Sequence, residues 1–220
     1  MTIAQQFLAF AFECGALKFG EFTLKSGQQS PYFFDTGVFA SGDTLERLGW
    51  FYASTIATSI ADAKIECDLL YGSAYKGIPL ACTTAICLHR DFHIDKGFAF
   101  NRKETKDHGE GGNIVGTSLQ GRVLIIDDVI SAGITIHESV ALIRHYGAEP
   151  AGIVIAFDRE EPDSTDTKMT TRQRITDELE LTILSIAKYS DLIQMFENQT
   201  NDNAQELLKK LLAYHNPMRG

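Results

Sequence analysis

Val123-Leu124-Ile125-Ile126-Asp127-Asp128-Val129-Ile130-Ser131-Ala132-Gly133-Ile134-Thr135 decides the fold. The first four residues are apolar and mostly β-branched, which predicts a central strand buried on both faces. Two acids follow and emerge at the strand's C-terminal edge. That edge is where open α/β sheets bind ligands. Small residues come next, and then a helical stretch. Such a turn aims backbone N–H groups, with the helix dipole behind them, at a phosphate. Ser131 and Thr135 add hydroxyl donors. Asp127 and Asp128 lie too close to that cradle to bind the same phosphate. They suit sugar hydroxyls or a hydrated Mg²⁺ instead. The plain alternative is a pair of strand-end acids capping a helix.

Outward from this segment, strands and helices alternate. Cys67–Tyr71 predicts a short strand, followed by a loop over Gly72–Gly77 and a helix to about His89. Phe98–Phe100 predicts another strand. After the acidic segment come a helix ending near Gly147, a strand over Ile153–Phe157 and a last one over Leu181–Ile186. Strands separated by helices imply a mostly parallel sheet covered on both faces. The N-terminal part differs. Ile3, Phe7, Phe10 and Ala11 have helical spacing within Thr2–Gly15. Leu17–Phe39 is aromatic, with glycines and Pro31, and suggests short strands and turns. Gly42-Asp43-Thr44 offers a cap for a helix to about Ala63. Glu160–Arg174 reads as a surface loop or a helix start, and Glu206–Tyr214 as a packed terminal helix. The expected organisation is one domain over 1–220, with a small N-terminal hood formed mainly by about 1–40.

A second segment carries charge: Asn101-Arg102-Lys103-Glu104-Thr105-Lys106-Asp107-His108-Gly109-Glu110-Gly111-Gly112-Asn113. Three cations and a histidine share it with three glycines. Glycine adds backbone freedom, so mobile cations over an acidic body suggest a lid that closes on polyphosphate. A solvated surface loop is the bland alternative.

The bulk numbers set limits. A chain of 220 residues, 44% hydrophobic and 22% charged, can bury a sizeable core without disulfides. The net charge of −9 argues against general nucleic-acid binding, which needs a basic face. Cys14, Cys67, Cys82 and Cys87 form no C-x-x-C pair, and they read as reduced, mostly buried thiols of a cytoplasmic protein. The N-terminus does not look like a signal peptide, and no apolar run is long enough for a membrane span.

The apolar strand, two acids and small-residue turn resemble the phosphoribosyl pyrophosphate (PRPP) motif of type I phosphoribosyltransferases. Within that fold, Asn-Arg-Lys-Glu-x-Lys-Asp-His-Gly-Glu-Gly-Gly resembles the catalytic loop of the orotate phosphoribosyltransferases. Phe19–Gly27 with Ser30–Phe34 resembles the family's hood, Tyr71–Gly77 its pyrophosphate loop, and Phe157-Asp158-Arg159 the strand end that meets the base.

The resemblance implies the family's α/β fold, with a mostly parallel central sheet flanked by helices. It implies transfer of a phosphoribosyl group from PRPP to orotate, giving orotidine 5′-monophosphate and pyrophosphate in pyrimidine biosynthesis. Lys106, His108, Asp127 and Asp128 would be catalytic. PRPP would meet Lys25, Tyr75, Lys76, Arg102, Lys103, Lys106, His108, Asp127 and Asp128. Val129, Ile130, Ser131, Ala132, Gly133, Ile134 and Thr135 would cradle its 5-phosphate. Phe33, Phe34, Ser131 and Arg159 would surround orotate. Mg²⁺ would be held mainly by PRPP, with Asp127 and Asp128 nearby through water. Loop 101–113 would complete the partner's site in a homodimer.

Three positions depart from the family's pattern: Ser73 stands for a common proline, Ser131 for a usual threonine and Ile134 for a frequent threonine. Two rival readings are a phosphoribosyltransferase for another base and a PRPP-sensing regulator on the same fold. The loop wording and Arg159 speak against the first. The retained loop, the acidity and the lack of an evident DNA-binding module speak against the second.

Overall fold

The protein's structure, a computed structural model, describes residues 1–24, 27, 29–103, 113–163, 168–197 and 199–215. Its centre is the strand predicted from the acidic segment. This strand, β6 (Arg122–Val129), lies between β3 (Leu69–Gly72) and β7 (Glu149–Asp158), parallel to both. Outside β3 come β4 (Gly97–Asn101), parallel, and β5 (Ile114–Gly116), antiparallel. Outside β7 comes β8 (Ile183–Lys188), parallel. The six strands run β5-β4-β3-β6-β7-β8. The expected α/β architecture with a mostly parallel sheet is therefore present.

Alternation along β6 divides the core in two. Leu124 and Ile126 enter one buried cluster and Val123 and Ile125 the other, because successive strand side chains point to opposite faces. The first cluster lies under α1 (Ile3–Glu13), α2 (Gly42–Ala61), α3 (Gly77–Phe92), α6 (Tyr189–Glu197) and α7 (Asp202–His215). The second lies under α4 (Ile134–His145) and α5 (Thr171–Leu179), through Ile136, Val140, Ile143 and Ile175. Each fully buried aliphatic side chain contributes roughly 1.5–3 kcal/mol relative to exposure.

This division positions the site. From β3 the chain turns through α3 on one face, and from β6 it turns through α4 on the other. The strand order thus reverses between β3 and β6, and such a reversal opens a crevice at the carboxyl ends of the strands. Gly72 and Gly77 let the loop after β3 fold tightly at that point. A Cβ on Gly72 would run into the Gly77 carbonyl oxygen, and one on Gly77 would lie 2.9 Å from the Gly72 Cα.

The N-terminal β1 (Leu17–Thr23) and β2 (Gln29–Phe34) form a separate antiparallel ribbon. Its back meets the C-terminal helices: Phe19 touches Phe196, and Tyr32 touches Tyr189 and Tyr214. Ser41, not the Gly42-Asp43-Thr44 group alone, caps α2, accepting from the Thr44 N–H. Four strands differ from expectation. β6 runs on through both acids, since the long β7 supplies partners as far as Val129↔Phe157. β3 and β8 lie about two residues later than expected, where ladder partners exist. β5 was missed. Its three residues are too short for a period and owe their pairing to β4. The four cysteines are free thiols. Among the described residues no helix is long and apolar enough to cross a membrane.

Candidate active site

The acids sit where β6 ends in the crevice, and backbone and side-chain bonds hold them there. The Tyr52 hydroxyl donates to the Asp127 carbonyl at 2.7 Å. Asp127 Oδ1 accepts from the Asp128 N–H at 2.9 Å, and Asp128 Oδ1 accepts from the Val129 N–H at 2.8 Å. The other Asp128 oxygen, Oδ2, accepts from Lys76 Nζ at 2.9 Å and from Thr36 Oγ1 at 2.8 Å. One carboxylate therefore ties together the β6 edge, the loop after β3 and the short turn after β2. Lys76 was expected at this site. Thr36 and Tyr52 were not, and no local pattern marks either residue.

Beyond the acids the turn reaches α4 through Gly133, whose φ of +82° is the left-handed region. Ser131, Ala132, Ile134 and Thr135 are exposed around it. Left-handed and helical residues in succession form an anion-binding concavity of N–H groups. Ile134 is 66% exposed, so the departure from threonine places an apolar side chain on the rim of that concavity.

On the β3 side, Tyr75 is 67% exposed, and Lys103 Nζ stands 4.9 Å from its ring centre. Asn101 organises this corner. Its Oδ1 accepts from the Tyr71 hydroxyl and the Ala74 N–H, both at 2.9 Å. The Arg102 N–H donates to the Asn113 carbonyl at 2.7 Å, closing the base of segment 101–113 on the β4–β5 pair. Lys25, Lys106 and His108 lie outside the described residues.

The candidate base-binding residues separate into two kinds. Phe34 packs against Phe7 and Phe157, whereas Phe33 is 39% exposed and stacks on Phe22. Arg159 follows the end of β7. Its Nε donates to the Tyr32 hydroxyl at 3.3 Å, and its Nη2 meets Glu161 Oε1 at 2.8 Å. Tyr214 donates to that same Glu161 oxygen at 2.7 Å. Glu161 and Tyr214 were not anticipated: Glu161 lies two residues beyond Arg159, and Tyr214 joins them only through the packing of α7.

The electrostatics of the acid pair are asymmetric. Burial, and then the adjacent Asp128 carboxylate, push the Asp127 carboxyl from an ordinary 3.8 up to about 6. The hydrogen bond to Asp128 raises Lys76. Because the folded-state value of Asp127 exceeds the unfolded one, its favourable contribution is complete below about pH 4 and is lost as pH rises through 6. The shift caps this loss at about 3 kcal/mol. Ligand-free Asp127→Asn is accordingly expected to melt at a higher temperature than the parent at pH 7.5. The difference should vanish near pH 4, where Asp127 is protonated and resembles the amide. Thermal melts at the two pH values check this; equal melting points at pH 7.5 would contradict it.

Among the described residues, no group of three or more His, Cys, Asp and Glu side chains could hold a metal ion. The donor set fits a shared Mg²⁺. Asp128 is already engaged by Lys76 and Thr36, so the pair cannot form a full oxygen cage. Such a site suits an ion that keeps most of its ligands as water and phosphate oxygens.

Comparisons with known proteins point to one family. Residues 51–184 match the family model of the phosphoribosyl transferase domain. The chain is 48% identical over 203 residues to an orotate phosphoribosyltransferase of Aliivibrio fischeri, covering 92% of each chain. It is 50% identical over 213 residues to one of Thioalkalivibrio sulfidiphilus, covering 97% of this chain and 96% of the other. It is also similar to the crystal structure of orotate phosphoribosyltransferase from Francisella tularensis. There the TM-score is 0.80 at 33% identity, covering 93% of this chain and 96% of that one.

Proposed function

The chain belongs to the orotate phosphoribosyltransferase family, and on that premise we propose that it joins orotate to PRPP, giving orotidine 5′-monophosphate and pyrophosphate. The observation that carries the reading is the meeting of Asp128, Lys76 and Thr36 at the crevice between β3 and β6, beside the glycine-bearing turn of α4. A compact arrangement of acids, a cation and a phosphate cradle is what a sugar bearing a 5-phosphate and a pyrophosphate requires.

The residues divide the work. Val129–Thr135 holds the 5-phosphate through backbone N–H groups and the Ser131 and Thr135 hydroxyls. Asp127 and Asp128 accept from the ribose hydroxyls and favour positive charge on the sugar as its bond to pyrophosphate breaks. Lys76, with Nζ on Asp128 in the ligand-free protein, is 61% exposed and can turn to the pyrophosphate. Tyr75, Arg102, Lys103, Lys106 and His108 meet the same group, the loop residues crossing from the partner of a homodimer. Negative charge on the leaving group grows in the transition state, so cations aimed there lower the barrier. His108 donates a proton or a hydrogen bond to it. Lys25 meets PRPP. Phe33 and Phe34 wall the base, Ser131 borders it, and Arg159 faces the orotate carboxylate. Asp127 and Asp128 would lie near a Mg²⁺ held mainly by PRPP, meeting it through water, and the ion would supply further charge neutralisation. Closure of loop 101–113 excludes water that would hydrolyse PRPP. As an enzyme of pyrimidine biosynthesis it works in the cytoplasm.

A spectroscopic assay of orotate loss tests the reading, with uracil, adenine and hypoxanthine as competing bases. Orotate is expected to be consumed only with PRPP present, and a metal chelator should stop the reaction. Equal or faster turnover of a purine base would overturn the substrate assignment. Activity undiminished by the chelator would overturn the role of Mg²⁺.

A further inference from the structure

The turn Val129–Thr135 is backed by α5. Arg174 Nη2 donates to the Ala132 carbonyl at 3.2 Å. The rest of that guanidinium is held from two other sides: Nε by Asp163 Oδ2 at 2.8 Å and Nη1 by Glu178 Oε2 at 2.7 Å. Asp163 is only 2% exposed, so this anchor is built into the protein. Glu178 Oε2 also lies 3.1 Å from His137 Nε2, and His137 Nδ1 lies 2.9 Å from the Gly133 carbonyl oxygen. The buried Ile175, next to Arg174, fills the space that a Cβ on Gly133 would enter. Ala132, Gly133 and His137 are thus each contacted from α5, while the Gly133 carbonyl accepts from the His137 N–H of its own helix at 3.1 Å.

A trans peptide is planar, with its N–H opposed to its C=O. The Ala132 carbonyl shares a peptide with the Gly133 N–H, and the Gly133 carbonyl shares one with the Ile134 N–H. Arg174 holds the Ala132 carbonyl from the α5 side and so turns the Gly133 N–H away from α5, while the His137 backbone N–H, with its ring Nδ1 alongside, holds the Gly133 carbonyl from within α4 and so fixes the Ile134 N–H. A planar guanidinium can reach three acceptors at fixed angles, which a lysine ammonium cannot reproduce.

We propose that Arg174, with Glu178 and His137, is a positioning network that holds the Ala132–Gly133–Ile134 peptides in the orientation that binds the 5-phosphate of PRPP. The proposal rests on reading Val129–Thr135 as the 5-phosphate cradle. It assigns Arg174 no contact with substrate.

Arg174→Met and Arg174→Lys test it, through affinities for four ligands. PRPP and orotidine 5′-monophosphate carry the 5-phosphate; pyrophosphate and orotate do not. Both variants are expected to weaken PRPP and orotidine 5′-monophosphate alike, on the order of tenfold, the scale of a lost hydrogen bond from a charged donor. Pyrophosphate and orotate should bind as before, and KM for PRPP should rise with kcat largely retained. Equal weakening of all four ligands, or no weakening of PRPP, overturns the proposal. So does recovery of parental affinity in Arg174→Lys, because charge alone would then suffice. Where Arg174→Met does not fold, Glu178→Ala removes the acceptor shared by Arg174 and His137; unchanged PRPP affinity there overturns it equally. Thr135→Ala examines the cradle itself. If it leaves PRPP and orotidine 5′-monophosphate affinity intact, the cradle reading fails, whatever the Arg174 variants do.

Discussion

Lys106→Ala is expected to lower turnover by about 10²–10³ while the KM values for PRPP and orotate move far less, the magnitude of losing one donor aimed at developing charge. The reason is timing. Pyrophosphate gains negative charge only as its bond to the ribose breaks, so a lid cation placed there acts mainly in the transition state. The described base of loop 101–113 supports such a placement. The Arg102–Asn113 backbone bond and the β4–β5 pair anchor both of its ends at the sheet edge. Steady-state kinetics with both substrates varied will separate the two effects. Single-turnover measurements will show whether the loss lies in chemistry. Near-normal turnover in Lys106→Ala would mean that the loop is only a surface feature.

Mixing two inactive variants is expected to restore activity. Asp127→Asn with Asp128→Asn removes the carboxylates proposed to face the ribose, and Lys106→Ala spoils the loop. Each homodimer should be nearly dead. A glycine-bearing loop with several cations is costly to order, and a neighbouring subunit offers a fixed surface for it to close upon. If the loop crosses to the partner's site while Asp127 and Asp128 stay in their own, a mixed dimer has one site with both defects and one with neither. Co-expression or refolding of the two variants should then recover activity, up to about half of the parental value in each mixed dimer. If the loop served its own subunit, every site would keep one defect. A mixture that stays inactive after proven subunit exchange would rule out the shared site.

The amino-acid order by itself determined the sheet and the chemistry at its edge. Val123–Ile126 has no polar face, so it had to be central, and the acids directly after it had to fall at the carboxyl end. The alternation of strands and helices then required parallel neighbours. The 101–113 segment announced itself by cations set among glycines. These signals are local, with partners a few residues apart, and side-chain periodicity records them directly. Only the tertiary structure decided who meets whom across the chain. Asp128 is paired with Thr36, 92 residues away, and with Lys76, 52 residues away. Phe34 turned into the core and Phe33 outward because β2 has one face against Phe7 and Phe157. β5 exists because β4 offered an edge, and α5 grips the turn at Gly133 because Ile175 found room where no Cβ stands. Such contacts depend on how preformed surfaces pack, and packing is set by the shapes of several elements at once rather than by any one stretch of chain.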